Sequence, residues 1–487
     1  MHKQVLTVLA VPALLGALLV PVSTAHADDL NTVTETTQPT PQVTEPAAQA
    51  TDVEATTDVA AKKPKRPYKG PKANLKWKVP TGPRFNNPMI DKDRFVIERQ
   101  VLRAIRNTPR GERITISAYS LDRGKFATEL IQAYRRGVKV QVLLNDHLVP
   151  GAQVDIQRVI GSDTKKANFL KRCVSGCRAD QNEYNNLHSK FYLFSRTGRS
   201  RNVVMLGSHN MTLNAVRWQW NDLWTAVEEP VLYKEFRTLF NDMRKDYSER
   251  RPSYTFCDTE GRQCPNGDQE RYFTTVFPRF TTSKRDQIMD ILNNVQCVYT
   301  DAAGAKRRTK LRLSMHTMRG NRGTYLAQRL RGLYAAGCDL KVNYGIIGYN
   351  TKVALGGTTA RGRVPLRSTG FDFDDDATTI ERYTHHKYFV LSGSYKGNIE
   401  SNMVWTGSTN WSSLGTPQDE ILFSMHGRKV VKKYLENFRL MWKKPFSRDA
   451  YTTTYSSWRT ADGRVVRVPT VTVEPDGVVP GSTWEND

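Results

Sequence analysis

Two histidine–lysine pairs with the same internal spacing are the residues of this chain best suited to chemistry, His188–Lys190 and His385–Lys387. β-Branched and aromatic residues flank each pair, which predicts that each lies on a β-strand. Because side chains alternate between the two faces of a strand, the first and third residues of each His-x-Lys motif lie on the same face, which brings an imidazole beside an ammonium. By the same alternation, His385 faces Lys387 and His386 points away. An imidazole can attack phosphorus or transfer a proton, and an ammonium binds anionic oxygen, so the pairs indicate phosphodiester chemistry.

A Gly-Ser-x-Asn element follows each pair, at Gly207–Asn210 and at Gly407–Asn410. The histidine and the asparagine are separated by 22 residues in the first copy and by 25 in the second. If the element is extended, its serine and its asparagine share one face. A single H-x-K is weak evidence, whereas a four-part pattern that occurs twice at similar spacing is strong evidence for one shared site.

The paired motifs resemble the phospholipase D superfamily, whose signature is H-x-K-x4-D followed by G-S-x-N, over roughly residues 95–440. The resemblance implies two halves that pack about a pseudo-twofold axis and bring both motifs to one site. It implies that His188 forms a phosphohistidine while His385 protonates the leaving oxygen and then activates water. The symmetry leaves the reverse assignment open. Six residues would bind the phosphate oxygens and make a metal or other cofactor unnecessary: Lys190, Lys387, Asn210, Asn410, Ser208 and Ser408.

Residues close to the motifs add one expectation and one departure from the family. In this family an acidic residue shortly after G-S-x-N often orients the histidine. The candidates at this place are Asp419 and Glu420 in the second half, and Asp222 and the amide Asn221 in the first. A purely structural role for these four stays open. The aspartate that closes the family signature is replaced by Ser195 in the first copy and by Ser392 in the second. Serine can keep a hydrogen bond at a position that supports the local fold more than it contacts substrate.

The elements that must position these residues occur twice. Gly207 and Gly407 are 200 residues apart, as are the predicted helix-ending glycines Gly137 and Gly337, and the two motif histidines are 197 apart. The first copy predicts a strand from Arg113, a helix over 126–136 and a strand over 138–145, and the second predicts a strand from Leu311, a helix to Ala336 and a strand over 339–344. We therefore expect an α/β protein with a duplicated phospholipase D-like domain, two mixed β-sheets flanked by helices.

The order of compositions along the chain predicts its domains. Residues 1–27 combine a basic start, an apolar run and an Ala-x-Ala site, as a cleaved signal peptide does, with an uncleaved anchor as the alternative. No later segment is apolar enough to span a membrane. We expect a disordered linker at residues 28–73. A first repeat at 74–255, a second repeat at 256–445 and a C-terminal extension at 446–487 should follow.

Six cysteines follow the predicted signal peptide, an even number that suits an exported, oxidised protein. Local pairing would join Cys173 to Cys177, Cys257 to Cys264 and Cys297 to Cys338, although six cysteines allow fifteen connectivities. A zinc site is the rival reading. The spacings of the cysteines do not fit the common zinc-binding patterns, so disulfides are expected.

A large positive charge narrows the substrate classes. The chain carries +24. Residues 1–27 hold one Lys and no acid, and residues 28–61 hold seven acids and no base, so the remainder carries +30. Such a surface attracts nucleic acid, anionic lipid or other anionic polymers. We expect a secreted phospholipase D that acts on phospholipid at a membrane surface, with a secreted endonuclease and a silent polyanion-binding protein as alternatives. Two repeats in one chain lead us to expect a monomer.

Overall fold

The structure, a computed structural model, describes residues 70–260, 264–371, 382–460 and 464–472. The predicted signal peptide, and the predicted linker as far as residue 69, lie outside the described residues. Within those ranges no helix has both the length and the apolar character needed to cross a bilayer.

The first half of the fold alternates strands and helices, as its sequence predicts. Its strands are β1 Gly82–Phe85, β2 Arg113–Ala118, β3 Lys139–Asn145, β4 Phe169–Cys173, β5 Phe191–Thr197, β6 Ser200–Gly207, β7 Gln219–Trp220 and β8 Asp222–Ala226. Its helices are α1 Asp91–Arg94, α2 Val96–Arg106, α3 Gly124–Arg135, α4 Gly151–Ile160, α5 Leu213–Arg217 and α6 Pro230–Met243. The predicted strand–helix–strand unit corresponds to β2, α3 and β3.

The second half repeats this arrangement with additional short strands. Its strands are β9 Tyr254–Cys257, β10 Tyr272–Val276, β11 Val295–Gln296, β12 Val298–Thr300, β13 Lys306–Arg308, β14 Lys310–Arg319, β15 Asp339–Ile347, β16 Leu366–Ser368, β17 Tyr383–Thr384, β18 Lys387–Tyr395, β19 Asn398–Gly407, β20 Trp411–Ser412, β21 Ile421–His426 and β22 Arg448–Asp449. Its helices are α7 Gln287–Asn293, α8 Gly320–Ala335, α9 Tyr349–Gly356 and α10 Arg428–Met441. A hairpin of β23 Thr452–Arg459 and β24 Val465–Thr472 follows.

The two main sheets have the same strand order and the same strand directions. The first sheet runs β1-β8-β6-β5-β2-β3-β4, and the second contains the run β10-β21-β19-β18-β14-β15-β16. In both runs neighbouring strands are antiparallel up to the fifth strand and parallel from there on. The second sheet adds β9 and β22 at its edges. This agreement shows a mixed α/β fold built by duplication.

The two glycines that end the repeated helices explain part of the matching geometry. Gly137 follows α3 with φ +90°, and Gly337 follows α8 with φ +106°. These are left-handed conformations, which glycine adopts without the steric cost that a Cβ atom brings. Each glycine N–H donates to a helix carbonyl, that of Tyr134 at 2.8 Å and that of Tyr334 at 3.0 Å. Both copies thus turn from helix to parallel strand in the same way.

One hydrophobic cluster joins the two halves. Leu193 and Leu206 from the first sheet pack in the same buried cluster as Tyr388 and Phe423 from the second. The amphipathic helices α6 and α10 cover this cluster with Phe236, Tyr434 and Phe438. Separate clusters fill the outer side of each sheet. Because the shared cluster is apolar and excludes water, it holds the two halves together.

Three disulfides are present, Cys173–Cys177, Cys257–Cys264 and Cys297–Cys338. They are the local pairs expected from the sequence. None of the six cysteines is free.

Candidate active site

The two motif histidines do not lie within strands of the main sheets, in contrast to the sequence prediction, although Lys387 is the first residue of β18. His188 precedes β5, and His385 lies between β17 and β18. Their backbones pair instead with the opposite half of the fold: His188 N donates to Asp419 O at 3.0 Å, and His385 N donates to Trp220 O at 2.8 Å. We call this zone of backbone pairing between the halves the seam. It binds the backbone of each motif histidine to the other half of the fold.

The His188 side chain is held by a carboxylate from the second half. Its Nδ1 lies 2.7 Å from Glu420 Oε1, and both side chains are buried. Because an ionised carboxylate only accepts hydrogen bonds, Nδ1 is the nitrogen that carries the proton in the neutral ring. The lone pair of the neutral imidazole is then on Nε2.

The His385 side chain is held by an amide from the first half. Its Nδ1 lies 2.7 Å from Asn221 Oδ1. The amide orientation is fixed because Asn221 Nδ2 donates to Ala215 O at 3.1 Å, while Ser208 Oγ donates to Oδ1 at 2.9 Å. His385 Nδ1 therefore donates its proton to Asn221, and the lone pair of the neutral ring is on Nε2.

Asn221 and Glu420 occupy equivalent positions in the duplicated fold. Ser208 N donates to Asp222 O, and Ser408 N donates to Ile421 O, both at 3.1 Å. In each copy the residue before that carbonyl is the one that contacts a histidine of the other half. Each half thus supplies the hydrogen-bond partner for the histidine of the other half, but one partner is a carboxylate and the other is a neutral amide.

The other two candidates for orienting a histidine bind elsewhere. The buried Asp222 carboxylate accepts from Thr406 Oγ1 at 2.7 Å and from the Tyr434 hydroxyl at 3.0 Å, and burial raises its pKa. Asp419 accepts from the backbone N–H groups of Cys177, Arg178 and Ala179. Burial raises the pKa of Asp419 to about 6, although these N–H groups and the Arg178 charge act in the opposite direction.

The two motif lysines are buried close to their histidines. Lys190 Nζ donates to His188 O at 2.7 Å, and Lys387 Nζ donates to His385 O at 3.2 Å. Lys387 Nζ also lies 2.5 Å from His385 Nε2. This last contact sets an ammonium directly against the reactive nitrogen of the second histidine.

The G-S-x-N residues are buried beside these contacts. Asn210 and Asn410 are at most 2% exposed. The Ser208 hydroxyl donates to Asn221 and accepts from Asp222 N at 3.1 Å, and Ser408 Oγ accepts from Ile421 N at 3.1 Å. The serines thus connect the element to the segment that holds the opposite histidine.

Aromatic rings beside the histidines were not among the predicted site residues. Tyr119 lies edge-on to His188 with ring centroids 5.3 Å apart, and Lys190 Nζ lies 5.3 Å from the Tyr119 ring. His316 lies edge-on to His385 at 4.6 Å. The signal for both was the duplication itself, because Tyr119 directly follows β2, His316 lies in the equivalent strand β14, and the two are 197 residues apart, the same offset as the motif histidines.

His386 and His209 are buried outside these contacts. His386 Nδ1 lies 2.9 Å from Thr384 Oγ1, on the side of the chain away from Lys387. Burial lowers the pKa of His386 and of His209 to about 3 in each case, so both rings are neutral at physiological pH.

Serine takes over a structural role at the two positions where the family signature has aspartate. Ser195 Oγ accepts from Arg113 N at 2.8 Å and donates to Glu112 Oε2 at 2.7 Å. Ser392 Oγ donates to Asn402 Oδ1 at 3.1 Å. Neither serine contacts a motif histidine through these hydrogen bonds. In the described ranges, no group of three or more His, Cys, Asp or Glu side chains has an arrangement that could hold a metal ion.

Comparison with known proteins agrees with the motifs. Residues 101–244 match the family model described as cardiolipin synthase, PLD-like domain. Together with the repeated motifs and the duplicated fold, this match supports membership of the phospholipase D superfamily. No curated protein sequence matches the chain.

Solved structures with a similar fold have low sequence identity to this chain. A phosphatidylserine synthase from Haemophilus influenzae Rd KW20 is 11% identical with a TM-score of 0.45, covering 73% of this chain and 86% of that chain. A polyphosphate kinase from Porphyromonas gingivalis is 11% identical with a TM-score of 0.44, covering 72% of this chain. The chain spans about half of that kinase, 49% of its length. The phospholipase D family member Nuc from Salmonella typhimurium is 19% identical with a TM-score of 0.24, covering 32% of this chain and 91% of that chain.

Proposed function

We propose that the protein is a phosphodiester hydrolase that works through a covalent phosphohistidine. His188 Nε2 attacks phosphorus, and the bond from phosphorus to the leaving oxygen breaks as His385 donates its Nε2 proton to that oxygen. His385 then takes a proton from water, which attacks phosphorus and releases His188. The observation that carries this proposal is the reciprocal orientation of the two histidines, His188 by Glu420 and His385 by Asn221.

The unequal partners support His188 as the nucleophile. The Glu420 carboxylate beside Nδ1–H increases electron density on the His188 ring and stabilises the positive charge that develops during attack. Asn221 is neutral and stabilises the His385 imidazolium less, which makes His385 the better proton donor. The reverse assignment would place the better base at the position that must release a proton.

The phosphate oxygens would be bound by cationic and amide donors. Lys190, Lys387, Asn210 and Asn410 are the donors we assign, and they stabilise the charge that grows on the non-bridging oxygens. We assign Ser208 and Ser408 a positioning role, because their hydroxyls already bind the segments that hold the opposite histidines. No step in this scheme requires a metal.

For the substrate we propose a phospholipid, cleaved to phosphatidic acid and a free head group. The support is that one chain holds both repeats and both motifs, as expected for a phospholipase D. A secreted endonuclease is the second candidate, favoured by the +30 charge of residues 62–487. Secretion is part of the proposal in both cases, and three disulfides suit an oxidising compartment.

Incubation of the purified protein with phosphatidylcholine vesicles and, separately, with supercoiled plasmid tests the choice of substrate. Both reactions contain excess EDTA, and a His188→Ala variant is the control. Release of choline without nicking supports the phospholipase, whereas nicking alone assigns the endonuclease. Equal activity of wild type and His188→Ala on either substrate would contradict the mechanism, and activity that requires added metal would contradict the metal-free scheme.

A further inference from the structure

The two equivalent residue pairs that hold the motif histidines differ in where their carboxylate lies. In the second half the pair is Glu420-Ile421, and the carboxylate contacts His188 directly. In the first half the pair is Asn221-Asp222, so a neutral amide contacts the histidine and the carboxylate comes one residue later. Each pair thus contains one carboxylate, displaced by one residue between the two copies.

Asp222 belongs to a buried polar network that crosses between the halves. The Thr406 hydroxyl of β19 and the Tyr434 hydroxyl of α10 both donate to Asp222 Oδ2, at 2.7 Å and 3.0 Å. All three side chains are fully buried. Because a buried carboxylate is costly unless it is well paired, its presence at this place needs a reason.

The equivalent side chains of the other copy are apolar. The strand pairing beside Gly207 and Gly407 and the equal length of α6 and α10, 14 residues each, define which residues correspond. The corresponding residues are Ile421 for Asp222, Leu206 for Thr406 and Phe236 for Tyr434, all fully buried in the cluster that joins the halves. An apolar set therefore joins the halves at one of two equivalent places, so packing alone does not explain a carboxylate at the other.

The surroundings of Asp222 connect its charge to the second histidine–lysine pair. Burial raises the pKa of Asp222, whereas the hydrogen bonds from Thr406 and Tyr434 and the positive charge of Lys387 act in the opposite direction. Lys387 lies against His385 Nε2, and Asn221, the residue before Asp222, lies against His385 Nδ1. The carboxylate is thus within electrostatic reach of His385, although its hydrogen bonds in the described ranges go to other groups.

We propose that Asp222 is a positioning residue that supplies a remote negative charge to the His385 imidazolium, whereas Glu420 supplies a contact charge to His188. The inference rests on the proposed function, in which His385 is the general acid. A general acid must hold its proton at the working pH and still release it to the leaving oxygen. A carboxylate in contact would hold that proton more tightly, and without any carboxylate the Lys387 ammonium would favour the neutral ring. A carboxylate one residue away meets both requirements.

The titratable side chains seen around Asp222 and His385 come from the second half. They are Lys387 and Tyr388 of β18, Tyr434 of α10, His316 of β14, and His386. Burial raises the pKa of both tyrosines far above its usual range and lowers that of His386 to about 3, so these three are neutral. Lys387 is the cation of this group, and its effect on His385 opposes that of Asp222. Asn86 and Ser208, which hold Asn221 from the first half, do not titrate.

An NMR titration of protein labelled with 15N-histidine measures the pKa of His385, whose signal is assigned by its loss in His385→Asn. Asp222→Asn keeps the size of the side chain and an oxygen that accepts from both hydroxyls, but it removes the charge. We expect the pKa of His385 to fall by about one unit. Tyr388→Phe is the matched control, because it removes from the same cluster a hydroxyl that donates to Asn437, and it should leave this pKa unchanged.

A second variant keeps the test decisive if Asp222→Asn does not fold. The combination of Asp222→Ile, Thr406→Leu and Tyr434→Phe recreates the apolar set of the other copy and leaves none of these three positions with an unpaired polar group. It should lower the pKa of His385 as Asp222→Asn does. An unchanged pKa of His385 in the folded single or triple variant would overturn the inference.

Turnover separates this inference from the proposed function. The substrate is a soluble diester whose leaving oxygen needs a proton, either dibutyroyl phosphatidylcholine or a thymidine dinucleotide. In Asp222→Asn the alkaline limb of the kcat profile should move to lower pH by the amount that the pKa of His385 falls. A limb that stays in place while that pKa falls would contradict the role of His385 as the acid. If the wild type cleaves neither diester, the proposed function fails, while the titration still decides whether Asp222 acts on His385.

Discussion

The hydrogen-bond partner of each motif histidine sets the tautomer of its ring and the ease with which the ring takes a proton. Here the partners differ by one charge, Glu420 for His188 and Asn221 for His385. At the scale of single residues, this difference breaks the symmetry that the duplication would otherwise impose. Glu420→Gln replaces the carboxylate beside His188 with an amide, and Asn221→Asp replaces the amide beside His385 with a carboxylate, both with little change in side-chain size.

Glu420→Gln should lower kcat by about tenfold or more, because His188 loses the carboxylate that supports its attack. Asn221→Asp should instead raise the pKa of His385 and move the alkaline limb of the kcat profile to higher pH. Steady-state kinetics on bis(p-nitrophenyl) phosphate between pH 5 and about 9 measure both effects. The control is Glu400→Gln, since the Glu400 side chain is 68% exposed and outside the site. Indistinguishable profiles for Glu420→Gln and wild type would count against the assignment.

The buried neutral histidines predict how stability depends on pH. Burial holds the pKa of His209 and His386 at about 3, below the unfolded value of 6.5, so stability is lost as pH falls from about 6.5 towards 3. Asp419, with a pKa raised to about 6, opposes this in the folded state between about 6 and 3.8. Two histidines outweigh one carboxyl, and the sum of these three groups is acid destabilisation.

His209→Thr inserts the residue that stands at the equivalent place in the second copy, Thr409. Removing one histidine should reduce the loss of unfolding free energy between pH 6 and 4 by about 1.4 kcal/mol for each pH unit. Urea unfolding at several pH values measures this slope. A slope equal to that of the wild type would show that His209 does not titrate in this way.

At the scale of elements, the seam assembles the site. Cys177, Arg178 and Ala179 donate to the Asp419 carboxylate, and Asp419 O accepts from His188 N. The loop closed by the Cys173–Cys177 disulfide therefore holds the segment that carries Glu420. The position of Glu420 against His188 depends on this loop.

The double substitution Cys173→Ser and Cys177→Ser should therefore reduce kcat about tenfold, because small displacements of reacting groups have large effects on rate. The matched control replaces Cys257 and Cys264, which also form a short-range disulfide, in β9 and the segment after it. We expect that control to retain kcat in assays on the same diester. Equal kcat values for both double variants would contradict the proposed role of the Cys173–Cys177 loop in positioning Glu420.

The elements of the repeat could be predicted from sequence because hydrophobic alternation and glycine-ended helices are local signals. Strands β2 and β14 and helices α3 and α8 are examples. The seam could not be predicted in this way. Its backbone pairing joins residues 188 and 419, and 385 and 220, across separations that local patterns do not encode.

At the site, the alternation argument selected His385 over His386, and proximity in sequence suggested four orienting candidates. The choice of Asn221 and Glu420 over their neighbours depends on which carbonyl binds the Gly-Ser turn, a tertiary contact. His316, which lies beside His385, was not predicted as a site residue because a lone histidine is more often structural.

At the scale of the whole molecule, the charge of the chain predicts how activity depends on ionic strength. Residues 62–487 carry +30, so capture of a polyanionic surface should weaken as salt screens the charges. We expect kcat/KM on anionic vesicles or DNA to fall at least about tenfold between 50 and about 300 mM salt. The kcat for bis(p-nitrophenyl) phosphate should change little, because that small diester does not depend on long-range attraction. Equal salt dependence of both would contradict the prediction.

Trapping a covalent phosphohistidine on His188 would give direct evidence for the proposed mechanism. p-Nitrophenolate leaves without a proton, so a His385→Asn variant should form the adduct from bis(p-nitrophenyl) phosphate but hydrolyse it slowly. Mass spectrometry of peptides at alkaline pH should then locate a p-nitrophenyl phosphoryl group on His188, and none in a His188→Asn variant. An adduct on His385 in the His188→Asn variant, with none on His188 in the His385→Asn variant, would contradict the account.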